Sequence, residues 1–294
     1  MYSPDGETVA QASEDDQIYL NDATSADYAE LSESPLDDID GRFISVDFSP
    51  DGSLFAGSAF DDAGASVWST SDWSLEESFG ENMRGVAFSK TGDYLTYSDR
   101  WGDELYIRDT DDWSLVDTLT VSEGEIDGID WTVNDDYLIV GDTDGKEVRI
   151  FDGDELGSDP EPVETLTFDW EIWPVSVSPD NQLVAFGGHN TPDSDGRLSI
   201  YEVGSWSHVE TITSTDEELR NIDWSADSSL IGSVGKEDNQ GYIHDTDSWS
   251  LQATPGNLSD FGYAIAFREN QQVAVAGNGG DMEVFDIVSN PFGQ

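Results

Sequence analysis

The sequence predicts an all-β protein assembled from seven copies of one four-stranded antiparallel unit. Three observations carry that expectation. An aromatic or aliphatic anchor recurs every 40 to 47 residues, at Tyr2, Phe48, Phe88, Trp131, Val177, Trp224 and Phe267. A turn rich in Ser, Pro, Asp, Asn and Gly follows the anchors. A strand ending in a polar residue closes about 20 positions later, at Asp22, Ser69, Asp109, Asp152, Glu202, Asp245 and Asp286. Alternating apolar runs bounded by such turns are a strand-and-hairpin signal, and self-similarity at this period marks a repeat architecture.

Residues 43–79 show the unit most clearly. Phe43 to Phe48 alternate, with Ile44, Val46 and Phe48 on one face, and Pro50-Asp51-Gly52 turn the chain. Leu54 to Gly57 return, Asp61 to Gly64 turn again, and Ala65 to Trp68 form a third strand. A polar corner from Ser69 to Asp72 leads into a fourth strand at Trp73 to Phe79. One such meander buries too little apolar surface to stand alone.

The copies follow in order. The turn after each anchor reads SPDG at 3–6 and 49–52, SKTG at 89–92, TVND at 132–135, SPDN at 178–181, SADS at 225–228 and RENQ at 268–271. Second strands are expected from Thr8, Leu54, Tyr94, Tyr137, Leu183, Leu230 and Val273. Trp-Ser pairs open fourth strands at Trp73, Trp113, Trp206 and Trp249. The expectation is a single domain over 1–294, in units of approximately 1–42, 43–83, 84–126, 127–172, 173–219, 220–262 and 263–294.

Composition bounds the function. Asp and Glu number 64 against 11 Lys and Arg, a formal net charge of −53 spread along the whole chain. At low salt such a fold repels itself. In molar salt the screening length falls to roughly 3 Å and the repulsion fades. Sparse Lys with abundant Asp therefore points to a protein adapted to brine or a high-salt cytoplasm, the alternative being an acidic surface built to hold cations or a basic partner. The same charge argues against nucleic acid, whose binding depends on Lys and Arg displacing counterions, and against anionic membrane surfaces. No apolar run reaches the 18 or so residues of a membrane helix. Without cysteine there are no disulfides or thiolate ligands. No charged-then-apolar leader reads at the start, so a cytoplasmic location is expected.

Units of this length, with FSPDG after the first strand and an aromatic or aliphatic residue before an acidic one at the end of the third, resemble WD40-type β-propeller repeats over residues 1–287. The resemblance implies seven four-stranded blades around a central channel, first strand innermost. Two departures stand out. No Gly-His pair precedes the first strands, and the third strands end VWS, IRD, IFD, IYE, IHD or VFD, never Trp-Asp. The first and last units read as incomplete. Rings of this type usually mix their termini at closure, so a segment upstream of Met1 is expected to supply the missing strands.

Chemistry is sought where positions break the repeat. Asp47, Asp130 and Asp223 precede anchors and read either as acceptors of neighbouring backbone N–H groups or as carboxylates for a cation. Asp142-Thr143-Asp144-Gly145 and Asp193-Ser194-Asp195-Gly196 open like calcium loops. Their twelfth positions are Gly153 and Gly204, however, where an EF-hand needs Glu. His189 (at a turn), His208 and His244 have no second His at ligand spacing. No cofactor and no metal is expected.

The sharper candidates are basic. Arg84 and Arg220 sit four positions before an anchor, where Asp127, Trp173 and Tyr263 stand in other units and Arg42 lies close by. In a propeller these positions ring the channel mouth. Arg with Trp and Tyr there would hold a carboxylate or phosphate by paired hydrogen bonds and stacking, unless each Arg is neutralised by neighbours such as Glu217 and Glu218. The function expected is a non-catalytic, monomeric scaffold for a protein or peptide partner. The alternative is a hydrolase or lyase acting on a small anion, with Arg84 or Arg220 as clamp and Asp127 as base. The long loops 31–42, 154–165 and 189–196 are further places for partner specificity.

Overall fold

The computed structural model describes residues 1–12, 17–36, 41–60, 64–121, 124–190, 195–213, 218–236, 239–269, 272–277 and 282–287. It is an all-β propeller of antiparallel blades, six of them with three or four strands, one fewer than the seven repeats in the sequence. The chain divides into two compact units, Met1–Val175 and Ser176–Gln294.

In the first unit, β1 (Thr8–Ala12) and β2 (Ile18–Asp22) make a two-stranded sheet. Its outer neighbours are reduced to isolated bridges, Tyr2↔Val9 on one side and Ile18↔Leu36 and Asn21↔Glu30 on the other. Among the described residues the first repeat therefore contributes a two-stranded sheet and no full blade. Three full blades follow: β3 (Arg42–Phe48), β4 (Leu54–Phe60), β5 (Ala65–Ser69) and β6 (Leu75–Phe79); then β7 (Met83–Phe88), β8 (Tyr94–Asp99), β9 (Glu104–Asp109) and β10 (Leu115–Thr120); then β11 (Ile126–Trp131), β12 (Tyr137–Asp142), β13 (Glu147–Asp152) and β14 (Glu164–Thr167).

The next blade consists of β15 (Glu171–Val177), β16 (Leu183–Asn190), β17 (Asp195–Glu202) and β18 (His208–Thr213). The second unit then holds β19 (Leu219–Trp224), β20 (Leu230–Gly235), β21 (Gly241–Asp245) and β22 (Leu251–Ala253). A three-stranded sheet of β23 (Gly262–Arg268), β24 (Gln272–Gly277) and β25 (Met282–Asp286) completes it.

The residue after most anchors makes the turn. Ser49, Ser89, Thr132, Ser178 and Ser225 are all buried. Each hydroxyl accepts the N–H that begins the second strand, for example Leu54 N at 2.9 Å and Tyr137 N at 2.8 Å. Asp51 adds a second cap by accepting Ser53 N at 2.9 Å. The turn needs a left-handed residue, which Gly52 supplies at φ +72° without the steric cost a side chain carries. Asp135, Asn181 and Ser228 meet the same demand at φ 58–61°.

The recurring Trp residues stand just before the fourth strands. Trp73, Trp113, Trp206 and Trp249 are all left-handed, at φ 53–61°. Trp113, Trp206 and Trp249 each donate N–H to the polar residue four positions back, at 2.8–3.0 Å. A left-handed non-glycine residue costs roughly 1–2 kcal/mol. Ring packing offsets it: Trp73 lies 5.8 Å from Phe55, and Trp113 lies 5.8 Å from Phe79.

The cores lie between successive sheets. Ala56, Ala65 and Val67 of one blade pack with Met83, Val86, Phe88, Leu95 and Tyr97 of the next. Leu105, Ile107 and Leu119 meet Ile126, Trp131, Leu138 and Val140 in the same manner. In the second unit, Leu198 and Ile200 pack with Leu219, Trp224 and Ile231. Each such side chain contributes roughly 1.5–3 kcal/mol by leaving water, but only when its neighbour is present.

Polar latches register these interfaces. The first strand is an edge of its sheet, and its outward N–H groups would lack partners. In β7 they find the preceding blade: Val86 N donates to Ser45 Oγ at 3.4 Å and Phe88 N to Asp47 Oδ2 at 2.7 Å. In β23, Ile265 N donates to Asn221 Oδ1 at 3.0 Å and Phe267 N to Asp223 Oδ2 at 2.6 Å. Asp47 and Asp223 are thus acceptors of backbone N–H, including that of the blade beyond. Asp130 caps Trp131 N at 2.8 Å and pairs with Lys90 Nζ at 2.6 Å. At Gly128 the equivalent side chain has no room, because a Cβ would lie 2.5 Å from Trp173 O. A second row of latches comes from second-strand hydroxyls: Ser58 donates to Arg84 O, Ser98 to Ile126 O at 2.8 Å and Thr143 to Ile172 O at 2.7 Å.

Two expectations follow. Ser98 also accepts Gly85 N at 2.8 Å, so Ser98→Ala strands two buried backbone groups and should cost about 2–4 kcal/mol, read as a lower thermal midpoint. Burial pushes the Asp47 carboxyl up to about 6, against the opposing pull of Lys90. A raised folded pKa favours the protonated fold, so its stabilising share is complete below the unfolded value near 4 and is lost as pH rises through about 6. Asp47→Asn should flatten that stretch of the stability–pH curve, and unaltered curvature would contradict the assignment.

Candidate functional site

The position four residues before an anchor has a structural cause. The β3–β4 ladder skips Ile44, the β7–β8 ladder skips Arg84 and Gly85, and the β11–β12 ladder skips Asp127. Likewise β19–β20 skips Arg220 and β23–β24 skips Tyr263. Each is a β-bulge, a device that re-aims a side chain at a sheet end and is common beside functional sites.

In the first unit the sequence candidates Arg42, Arg84, Asp127 and Trp173 come into one neighbourhood. The Arg84 guanidinium pairs with Asp127 through Nε and with Glu125 Oε2 through Nη1 at 2.9 Å. It lies 5.9 Å from the Trp173 ring. Thr143 Oγ1 lies 3.0 Å from Asp127 Oδ2 and 2.7 Å from Ile172 O, and its one proton serves only one of them at a time. Burial raises the Glu125 carboxyl and Asp127 and Asp144 push the same way, while Arg84 and Arg100 oppose them.

Phe60, at the end of β4, gathers the cations. Arg42 lies opposite Phe60 in the ladder with its guanidinium 5.5 Å from the ring centroid, and Arg84 is 5.9 Å from it. Arg100 is much closer, 3.4 Å from Phe60 and 4.3 Å from the Trp101 ring. Trp101 is 71% exposed. The turn that carries it is pinned, because Asp99 Oδ1 accepts Trp101 N at 2.9 Å and Gly102 N at 3.2 Å, and Arg100 N donates to Asn82 O at 2.9 Å.

The second unit has its own basic cluster. Arg220 Nη2 pairs with Glu218 Oε2 at 2.5 Å, Lys236 Nζ reaches the same oxygen at 3.4 Å, and Arg220 lies 5.9 Å from the Tyr263 ring. Burial pushes the Glu218 carboxyl up, yet Arg220, Lys236 and His189 together outweigh it and hold it below its usual value. Pairing of Arg220 with Glu218 is thus present; Glu217 lies outside the described residues.

Other candidates resolve into local structure. Asp142 Oδ1 accepts Gly145 N at 2.7 Å, closing a hairpin turn; Asp193 and Ser194 lie outside the described residues. His189 stands on β16 and not at a turn, while His208 sits on β18 with Nε2 2.8 Å from Thr211 Oγ1. His244 is buried on β21, and burial lowers its pKa. Among the described residues no group of three or more His, Asp or Glu is placed to hold a metal ion, and no helix is long and apolar enough to cross a membrane.

Sequence reasoning missed Phe60, Glu125, Arg100 and Trp101. The last two carried a signal: Arg-Trp occupies a hairpin turn where the other units place Asp, Asn and Gly. Comparison with known proteins adds no assignment, since no family model and no curated protein matches the chain.

The Arg84–Asp127 contact behaves as a structural clamp in this geometry. Asp127→Ala should lower stability by about 1.5–3 kcal/mol, the cost of losing one charge-assisted bond while Arg84 keeps Glu125 as a partner. An unchanged midpoint would remove the clamp.

Proposed function

We propose that the protein is a non-catalytic, WD40-like scaffold of seven repeats that presents one face of its hairpin turns to a protein or peptide partner. The observation that carries the reading is Trp101, 71% exposed on a pinned turn and stacked on Arg100. Trp and Arg dominate the binding energy of many interfaces, and a rigid loop loses little entropy when a partner docks. The hydrolase or lyase alternative gains no support from Asp127, whose carboxylate is paired with Arg84.

The same reading places the protein, as a monomer, in a high-salt cytoplasm. A net charge of −53 on a compact fold is tolerable when ions screen it over a few ångströms. Two measurements test the proposal. Affinity capture in molar potassium chloride, with mass spectrometry, should return a specific partner whose retention falls with Trp101→Ala. Retention independent of every exposed turn would oppose the scaffold reading. The thermal midpoint should climb by several degrees between about 0.1 M and about 2 M potassium chloride, and more than in a neutral osmolyte of equal osmolality. A flat response would oppose the high-salt reading.

A further inference from the structure

Five of the sheets carry a fourth strand outside their third, whereas the last sheet stops at β25. Among the described residues no strand pairs with the outer side of Met282–Asp286. The difference shows in burial. Two positions before the polar residue that closes each third strand stand Val67, Ile107, Ile150, Ile200 and Ile243, all at 0% exposure. Val284 holds that position in β25 and is only half-buried, as are Met282 and Phe285 of the same strand. An edge with open N–H and C=O groups next to incompletely covered apolar side chains is a template for another strand.

Four of the complete sheets define the chemistry of the strand that belongs there. Their fourth-strand triplets at 77–79, 117–119, 164–166 and 210–212 read ESF, DTL, ETL and ETI, each in the same register against the third strand. The apolar member packs between blades: Leu119 and Ile212 join inter-sheet cores, and the Phe79 ring stacks on Tyr97 at 5.8 Å. The hydroxyl bonds across the pair, with the Oγ atoms of Ser66 and Ser78 3.0 Å apart and Ser199 Oγ 2.9 Å from Thr211 Oγ1. In β25 the residue at the place of Ser66 and Ser199 is Glu283, which when ionised only accepts hydrogen bonds. Its cross-strand neighbour is therefore best a cationic donor, since opposite charges facing each other across a ladder attract.

We propose that the outer edge of β25 takes an extended segment of a partner protein as an antiparallel fourth strand, with Lys opposite Glu283 and an apolar residue opposite Met282. Main-chain hydrogen bonds along the edge supply the binding, and those two side chains select the segment. A second copy of the chain is the poorer occupant. Where two β25 strands overlap fully, Met282 meets Asp286 and Glu283 meets Phe285, so Met282 and Phe285 both face an acid. The inference rests on the scaffold reading, for which it names the edge that binds and the chemistry it selects.

The test is fluorescence anisotropy in about 2 M potassium chloride, with labelled, amidated octapeptides centred on Glu-Lys-Leu. Saturable binding is expected, about threefold to fivefold weaker when Glu replaces the Lys and at least about tenfold weaker when Asp replaces the Leu. N-methylation of alternate residues removes the donors from one edge of an extended strand. Of its two phases, one should abolish binding and the other retain it. Glu283→Lys, at a half-buried position where an unchanged thermal midpoint verifies folding, should reverse the order of the Lys and Glu peptides.

No binding of the Glu-Lys-Leu peptide, binding that survives both phases of N-methylation, or a peptide order that Glu283→Lys leaves unchanged overturns the inference. Slow hydrogen exchange at every amide of Met282–Asp286 without peptide, or a dimer that the peptide leaves intact, also overturns it, since the chain itself or a second copy then covers the edge. In each of these cases partner capture that still depends on Trp101 leaves the scaffold reading standing without this edge, so the two failures are separable.

Discussion

The exposed edge of the first strand in each sheet is the constraint on which the structure depends. Its N–H groups point away from their own ladder and must find acceptors elsewhere. The preceding blade supplies them: Ser45 and Asp47 serve β7, and Asn221 and Asp223 serve β23. One requirement thus ties the sheet of β7 to that of β3, and the sheet of β23 to that of β19, in a fixed register. The apolar interfaces add most of the stabilisation, but apolar contact is non-directional. The carboxylates and hydroxyls set how the blades align. Where the strands come too close for a latch, as at Gly128 against Trp173, the side chain is absent altogether.

The candidate sites are a by-product of the same edge. Five of the first strands, β3, β7, β11, β19 and β23, enter their sheets through a bulge, and the skipped residue is released from the apolar alternation that governs the rest of the strand. Evolution can place Ile, Arg, Asp or Tyr there without disturbing a core, and this chain has Ile44, Arg84, Asp127, Arg220 and Tyr263. Arg84 and Asp127, from adjacent blades, close on each other. Arg220 closes on Glu218 of its own strand entry. Much of this charge is thereby paired, and Trp101, 71% exposed, is the most exposed large apolar side chain among the described residues.

Much of the fold was legible because it is repeated. The third strands end at Asp22, Ser69, Asp109, Asp152, Glu202, Asp245 and Asp286, as the spacing implies, since a period can be counted without knowing any contact. The role of Asp47 and Asp223 was half legible. A carboxylate before an anchor reads as a backbone acceptor, but not as one reaching the next blade. Blade count was less accessible, because the pattern of the first repeat is present while its outer strands shrink to single bridges. The site was harder still. The offset of Arg84 and Arg220 was visible, but their partners, Glu125 and Glu218, meet them only after the bulge turns the side chain. Phe60 looks like ordinary strand sequence, and its role as the platform for three arginines follows from which strands become neighbours.

Residue-resolved hydrogen exchange in molar salt tests the central claim most directly. If side chains of the preceding blade seal the first-strand edge, the amides of Phe88 and Phe267 should exchange as slowly as those at the centres of β8 and β24, although neither belongs to a ladder on that side. Exchange at the rate of the surrounding turns would show an unsealed edge, and the account of how the blades are held in register would fail.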